Sequence, residues 1–123
     1  MTHRVLIADD EPNIVVSLEY LMKRAGYEVL VARDGQEAID TIRRERPRLV
    51  LLDVMMPKKS GFEVCQELRA DEALRDTLVL MLSAKGRDTD VDKGLGVGAD
   101  AYMTKPVSTK DLAAKVAQML GAA

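Results

Sequence analysis

Three short apolar runs, each followed directly by a polar residue, constrain the fold of this chain more than any other feature. They are residues 5–8, which lead into Asp9 and Asp10, residues 49–52, which lead into Asp53, and residues 78–82, which lead into Ser83. Apolar runs of this length without polar alternation indicate strands covered on both faces, as in a parallel sheet. Two weaker strand candidates, residues 27–32 and 101–103, suit the margins of that sheet.

Helix patterns lie between the strand candidates. Pro12 suits the first turn of a first helix, and Gly26 suits the position just past its end. Asp34 predicts the N-cap of a second helix. Ser60 and Glu63 predict a capping box at the start of a third helix. The helical segments therefore have recognisable starts.

A fourth helix is expected near Gly94, Gly96 and Gly98. Each glycine inside a helix costs about 1 kcal/mol relative to alanine, so we expect this helix to be short or mobile. A last helix is expected to open at Ser108, with Asp111 in its first turn.

The alternation of strands and helices predicts an α/β fold. Right-handed crossovers leave few topologies, and five strands favour a flavodoxin-like, doubly wound parallel sheet of order 2-1-3-4-5 with five helices. The chain has 123 residues, which fits one domain over residues 1–123. No linker, repeat or low-complexity tract divides it.

Composition narrows the class of protein. With 47% hydrophobic and 31% charged residues, the chain reads as soluble and globular. A net charge of −2 does not predict nucleic acid as a partner. The single cysteine, Cys65, excludes an internal disulfide, and no apolar run is long enough to cross a membrane. Acidic residues close to the N-terminus argue against a signal peptide, so we expect a cytoplasmic protein.

The polar residues after the strands define a candidate site, because the carboxyl ends of parallel strands meet at one edge of the sheet. Three carboxylates, a hydroxyl and an ammonium group are expected there: Asp9, Asp10, Asp53, Ser83 and Lys105. Crowded carboxylates repel one another, and oxygen donors without histidine or cysteine select a hard cation, so we expect Mg²⁺. A carboxylate can attack a phosphoryl group and form an acyl phosphate, whose oxygens the hydroxyl and the ammonium group would bind.

Five sequence elements in this order resemble the response-regulator receiver domain. They are Asp9-Asp10, Asp53, Met56-Pro57 with Gly61, Ser83-Ala84 and Lys105-Pro106. Each element alone is common, whereas five in order at the ends of the expected strands are specific. The resemblance runs from about Arg4 to the C-terminus and implies a signalling switch that phosphorylation turns on.

The resemblance implies a role for each site residue. Asp53 is expected to be the phosphoacceptor. Asp10 and Asp53 are expected to bind Mg²⁺ directly, together with the backbone carbonyl of Met55, while Asp9 binds the ion through water. Ser83 and Tyr102 are expected to form the switch pair, in which the hydroxyl turns toward the phosphate and the ring moves inward.

The resemblance also implies partners and the geometry of one peptide bond. Lys105 would bind the phosphoryl group, and the bond between Lys105 and Pro106 is expected to be cis. The phosphoryl donor is expected to be a histidine kinase or a histidine phosphotransfer protein. The output is expected to be an effector protein or a fused output domain, reached through the fourth helix, the fifth strand and the fifth helix. The same surface is a candidate for a homodimer interface.

Two positions that tune phosphate loss in this family are occupied by Met55 and Lys85. Methionine has no group that orients an attacking water, so we expect slow self-dephosphorylation. Lys85 either covers the phosphate or points to solvent.

Three alternatives compete with this interpretation. A flavodoxin-like cofactor binder predicts a phosphate-cradling loop after the first strand, where this chain has Asp-Asp-Glu-Pro. A Mg²⁺-dependent phosphohydrolase needs a second acid near the nucleophile, commonly where Met55 stands. A degenerate receiver that signals without phosphate is disfavoured by the complete set of acids, hydroxyl and lysine.

Overall fold

A computed structural model describes residues 3–83, 96–105 and 108–121. Its five strands are β1 (Arg4–Ala8), β2 (Glu28–Ala32), β3 (Leu49–Asp53), β4 (Leu78–Ser83) and β5 (Ala101–Thr104). Its helices are α1 (Pro12–Arg24), α2 (Gly35–Glu45), α3 (Gly61–Ala70) and a C-terminal helix (Thr109–Met119). The strands form one parallel sheet of order β2-β1-β3-β4-β5, which confirms the predicted α/β, flavodoxin-like topology.

The described residues thus contain four helices, where the sequence predicted five. Most of the predicted fourth helix, including Gly94, lies outside the described residues, as do Lys85 and Pro106. The predictions for those residues therefore stay predictions. None of the four helices is long and apolar enough to cross a membrane.

Both faces of the sheet are covered, which explains the continuous apolar runs. Successive residues of β1 alternate between two buried clusters: Leu6 packs in a cluster with residues of α2 and α3, and Ile7 packs in one with residues of α1 and the C-terminal helix. All five residues of β3 are buried. The two margin strands are β2 and β5, as predicted.

The helix boundaries follow the predicted capping residues. The Asp34 carboxylate accepts the backbone N–H of Glu37 at 2.7 Å. Ser60 and Glu63 form the reciprocal capping box. Gly26 follows the end of α1 with a φ of 94°, a conformation that glycine adopts without a steric penalty.

One arginine on α3 forms hydrogen bonds to the segments that lead into β4 and β5. The Arg69 guanidinium donates to the backbone carbonyls of Arg75, Thr77 and Gly98 and to the carboxylate of Asp100. Asp100 directly precedes β5, and Thr77 directly precedes β4. Arg69 therefore fixes the entrance of both strands to the end of α3.

Candidate functional site

The sheet register brings the predicted site residues to one edge. Ala8 pairs with Leu52, so Asp9 and Asp53 each follow directly after one of two paired residues. Ser83, the last residue of β4, pairs with Thr104, and Lys105 comes next. The carboxyl ends of β1, β3, β4 and β5 therefore deliver their polar residues together, as the sequence indicated.

Three carboxylates form the centre of this edge. One carboxylate oxygen from each of Asp9, Asp10 and Asp53 lies within 4.8 Å of the other two. Asp9 is 1% exposed and Asp53 is 6% exposed, whereas Asp10 is open to solvent. Two buried negative charges at this distance raise each other's free energy unless a cation compensates them.

Lys105 supplies a compensating charge. Its Nζ lies 3.1 Å from Oδ2 of Asp9 and 3.2 Å from Oδ1 of Asp53, so it bridges the two buried carboxylates. The backbone holds the lysine in place, because the Lys105 N–H donates to the carbonyl of Ser83. The lysine thus continues the pairing of β4 with β5 into the site.

The electrostatics of the site follow from burial and crowding. Burial, and then the charge of Asp9, raise the pKa of Asp53 to about 6 from its ordinary value of 3.8, against the opposing effect of Lys105. Burial acts to lower the pKa of Lys105, but the Asp53 and Asp9 carboxylates outweigh it and raise that pKa. At neutral pH Lys105 is therefore charged and Asp53 is mostly ionised.

Asp9 is further anchored by the start of α1. Its Oδ1 accepts the backbone N–H of Glu11 at 2.9 Å, and its own N–H donates to the carbonyl of Ala32. Both carboxylate oxygens of Asp9 therefore accept a hydrogen bond, one from Glu11 and one from Lys105.

The donor set fits a hard divalent cation. The three carboxylates offer only oxygen atoms, and the predicted fourth protein donor, the Met55 carbonyl, is also an oxygen. Mg²⁺ prefers such ligands and few of them, since it keeps several waters. Such an ion would neutralise the negative charge of the three carboxylates that Lys105 alone does not balance.

The remaining predicted residues lie around this centre. Ser83 is buried at the edge. Tyr102 of β5 pairs with Met81 of β4, two residues before the edge, and packs partly buried against the cluster of α2 and α3. Met55 is 69% exposed, and its backbone N–H acts to lower the pKa of the Asp53 carboxyl.

Sequence reasoning missed Gly35, which supports the loop after Asp53. Its N–H donates to the carbonyl of Pro57 at 3.2 Å. Glycine has a low helix propensity, yet it occupies the first position of the predicted second helix. That mismatch is the signal in the sequence that could have identified Gly35.

Comparisons with known proteins agree with this geometry. A family model described as the response regulator receiver domain matches residues 5–117. The alkaline phosphatase synthesis transcriptional regulatory protein PhoP of Bacillus subtilis is 44% identical over 120 residues, which are 98% of this chain and 49% of that protein. The chain thus spans about half the length of this curated relative.

Solved structures show the same fold over almost the whole chain. The signal receiver domain of a signal transduction histidine kinase from Syntrophus aciditrophicus is 32% identical, with a TM-score of 0.91 over 98% of this chain and 91% of that one. The receiver domain of the Francisella response regulator 1452 is 31% identical, with a TM-score of 0.90 over 98% of each chain. Because the family model covers nearly all of the sequence, the chain belongs to the response-regulator receiver domains of two-component signalling.

Proposed function

We propose that Asp53 accepts a phosphoryl group from a phosphohistidine donor, with Mg²⁺ bound at the acidic edge, and that this changes the conformation of a surface that controls an output partner. The observation that carries the proposal is the arrangement around Asp53, a buried carboxylate between a second carboxylate and the Lys105 ammonium group. Residues 1–123 would form one such switch domain.

The transfer places a new bond on a carboxylate oxygen of Asp53. That oxygen attacks phosphorus, the bond between phosphorus and the donor's histidine nitrogen breaks, and the nitrogen keeps the electron pair. The attacking carboxylate must be ionised, which a pKa of about 6 allows at neutral pH. The chain would thus catalyse its own phosphorylation and later hydrolysis, without turning over an external substrate.

Asp10, Asp53 and the Met55 carbonyl would hold the ion directly, and Asp9 would act through water. Support for the indirect role of Asp9 comes from its two carboxylate oxygens, which already accept hydrogen bonds from Glu11 and Lys105. The bound ion would offset the charge of the arriving phosphoryl group.

Lys105 and Ser83 would bind the phosphoryl oxygens. Lys105 bridges two carboxylates, so it would keep Asp9 and exchange part of its contact with Asp53 for a phosphoryl oxygen. Ser83 would donate its hydroxyl to a second oxygen. The movement of Ser83 would leave room for the Tyr102 ring, which lies two residues before the end of β5, to turn inward.

The output surface would be the face of β5 and the C-terminal helix, together with the predicted fourth helix. An open groove of about 530 Å³ lies there, lined by Tyr102, Met103, Asp111, Ala114, Lys115 and Gln118. Its occupant would be an effector, a fused output domain or a second copy of the chain. The length of the B. subtilis relative, about twice the matched segment, supports a fused domain.

The donor would be a histidine kinase or a histidine phosphotransfer protein in the cytoplasm. The experiment that tests the proposal is incubation of the purified chain with a small acyl phosphate and Mg²⁺, followed by intact-mass measurement. We expect one phosphoryl adduct, which is absent in Asp53→Asn and absent when a chelator removes the metal. An adduct that persists in Asp53→Asn contradicts the proposal.

A further inference from the structure

The loop that follows Asp53, residues 54–60, packs against the N-terminus of α2. No predicted site residue lies on this helix. The carbonyl of Pro57 accepts two backbone N–H groups, from Lys59 at 2.8 Å and from Gly35 at 3.2 Å. A Cβ atom on Gly35 would lie 2.1 Å from the Lys59 carbonyl oxygen and 2.5 Å from its Cβ. Such contacts are far inside van der Waals distance, so the loop can take this position only because residue 35 is glycine.

The tip of this loop is strained, which means that its surroundings must hold it. Lys58 has a φ of 69°, a left-handed conformation that residues with a Cβ seldom adopt. Strain of this kind persists when neighbouring contacts over-determine the backbone. The neighbours here are the Gly35 N–H and two ion pairs, one between Lys58 and Asp34 at 3.6 Å and one between Lys59 and Glu67 at 2.6 Å.

The root of the loop is fixed by a second close approach. The Gly61 N–H donates to the Val54 carbonyl at 2.8 Å, and a Cβ on Gly61 would lie 2.4 Å from the carbonyl oxygen of Asp53. Met55 lies between the two fixed points, two residues after Asp53, and its backbone N–H acts to lower the pKa of the Asp53 carboxyl. A shift of the tip would therefore move the backbone of Met55, which lies between the tip and the fixed root.

We propose that Gly35 is a positioning residue for the acidic site. It touches no carboxylate, and acts by letting the turn at Pro57–Lys59 dock against α2, which sets the orientation of the Met55 peptide and of the Asp53 side chain. The inference rests on the proposed function, in which the Met55 carbonyl and Asp53 bind Mg²⁺. If Gly35 only packed α2 against its neighbours, its substitution would lower the stability of the fold without changing the affinity of the site for Mg²⁺.

The test compares Gly35→Ala with Gly96→Ala in the full chain. Gly96 is a matched control, because a Cβ there would meet no atom within 4 Å and its φ is not positive. Mg²⁺ is titrated while the amide signals of Asp53 and Met55 are followed by NMR. Residues that orient metal ligands typically change affinity by about 10-fold or more, so we expect a Kd for Mg²⁺ raised about 10-fold in Gly35→Ala and unchanged in Gly96→Ala.

Metal-free protein provides a second readout. Hydrogen exchange of the Met55 amide, which acts on the Asp53 carboxyl, should be faster in Gly35→Ala than in the wild type and unchanged in Gly96→Ala. Asp34→Asn decides the question if Gly35→Ala does not fold. Asparagine caps a helix as well as aspartate does, so this variant keeps α2 and loses only the charge facing Lys58. We expect it to raise the Kd for Mg²⁺ by roughly 2-fold to 3-fold, which is the size of effect that the loss of one exposed ion pair produces.

The outcomes separate the two claims. Wild-type affinity for Mg²⁺ in a folded Gly35→Ala or, failing that, in Asp34→Asn overturns the positioning role, even if thermal stability falls. Absence of any Mg²⁺ response in the wild type contradicts the proposed function instead.

Discussion

Replacing Asp53 by asparagine should stabilise the metal-free protein, although it removes the proposed phosphoacceptor. Burial and the neighbouring Asp9 raise the pKa of Asp53 to about 6, which means that the folded state disfavours its ionised form. The unfolded chain has no such penalty. The asparagine variant keeps the shape of the side chain and leaves Lys105 paired with Asp9.

The magnitude follows from the change in pKa. A rise from 3.8 to about 6 corresponds to about 3 kcal/mol as an upper bound, since one pH unit is worth about 1.4 kcal/mol. Solvent at the open side of the site, next to the exposed Asp10, screens part of this, so we expect roughly 1–2 kcal/mol. For a domain of this size that corresponds to a rise in Tm of about 5 °C.

The pH dependence has a definite sign. The folded state keeps a proton on Asp53 up to about pH 6, whereas the unfolded chain releases it near pH 4. Because the folded state binds more protons across this window, the contribution of Asp53 to stability falls as pH rises through it. The advantage of Asp53→Asn should therefore be absent near pH 4, grow until about pH 6 and stay constant above.

Urea denaturation in the presence of a chelator, repeated across this pH range, measures the effect. Asp40→Asn is the control, since Asp40 is an exposed residue of α2. Added Mg²⁺ should stabilise the wild type and narrow its difference from Asp53→Asn. A variant that is less stable than the wild type at neutral pH, or a difference that does not change between pH 4 and pH 6, refutes the reasoning.

Three further substitutions test other parts of the account. Met55→Asn should speed the loss of phosphate from Asp53 several-fold, as followed over time by mass spectrometry, because an amide can orient the attacking water. Met55→Leu is the control. An unchanged or slower rate in Met55→Asn contradicts this prediction. Arg69→Ala should lower the free energy of unfolding in urea by about 2–3 kcal/mol, because three carbonyls and one carboxylate each lose a hydrogen bond from the guanidinium group. Arg69→Lys should recover only part of the lost stability, because an ammonium group cannot make all the hydrogen bonds of the planar guanidinium group. Full recovery would contradict this explanation. Ser83→Ala should still accept phosphate at Asp53, more slowly, but should abolish the phosphate-dependent shift of the Tyr102 ring signals in NMR; a normal shift would exclude the switch pair.

The sheet was predictable because burial leaves a direct mark on sequence. The unbroken apolar run at residues 49–52 has no polar alternation, and β3 is buried on both faces. Helix starts were predictable for a similar local reason, since Asp34 and Ser60 accept backbone N–H groups three residues ahead. Both features depend on neighbours close in the chain.

The site was predictable in membership but not in detail. Asp9 and Asp53 could be placed together because they end adjacent strands of a parallel sheet. The bridge that Lys105 makes between them, and the raised pKa of Asp53, depend on side-chain distances across 96 and 52 positions of the chain. Local patterns carry no information about such distances.

Contacts that hold the site were missed for the same reason. Gly35 is close to Lys59 only because α2 packs beside the loop after β3. Arg69 reaches Asp100 across 31 positions. A glycine at a helix start and an arginine near a helix end are both common in sequences, and only the tertiary arrangement gives these two a role.

The central claim, phosphorylation of Asp53, is tested most directly by locating the modified residue. The chain is incubated with a small acyl phosphate and Mg²⁺. The aspartyl phosphate that forms on the protein is then reduced with borohydride, and the peptides are sequenced by mass spectrometry. Reduction converts a phosphorylated aspartate to homoserine, so we expect homoserine at position 53 and unmodified aspartate at positions 9 and 10. Homoserine at position 9 or 10, with aspartate intact at 53, would contradict it.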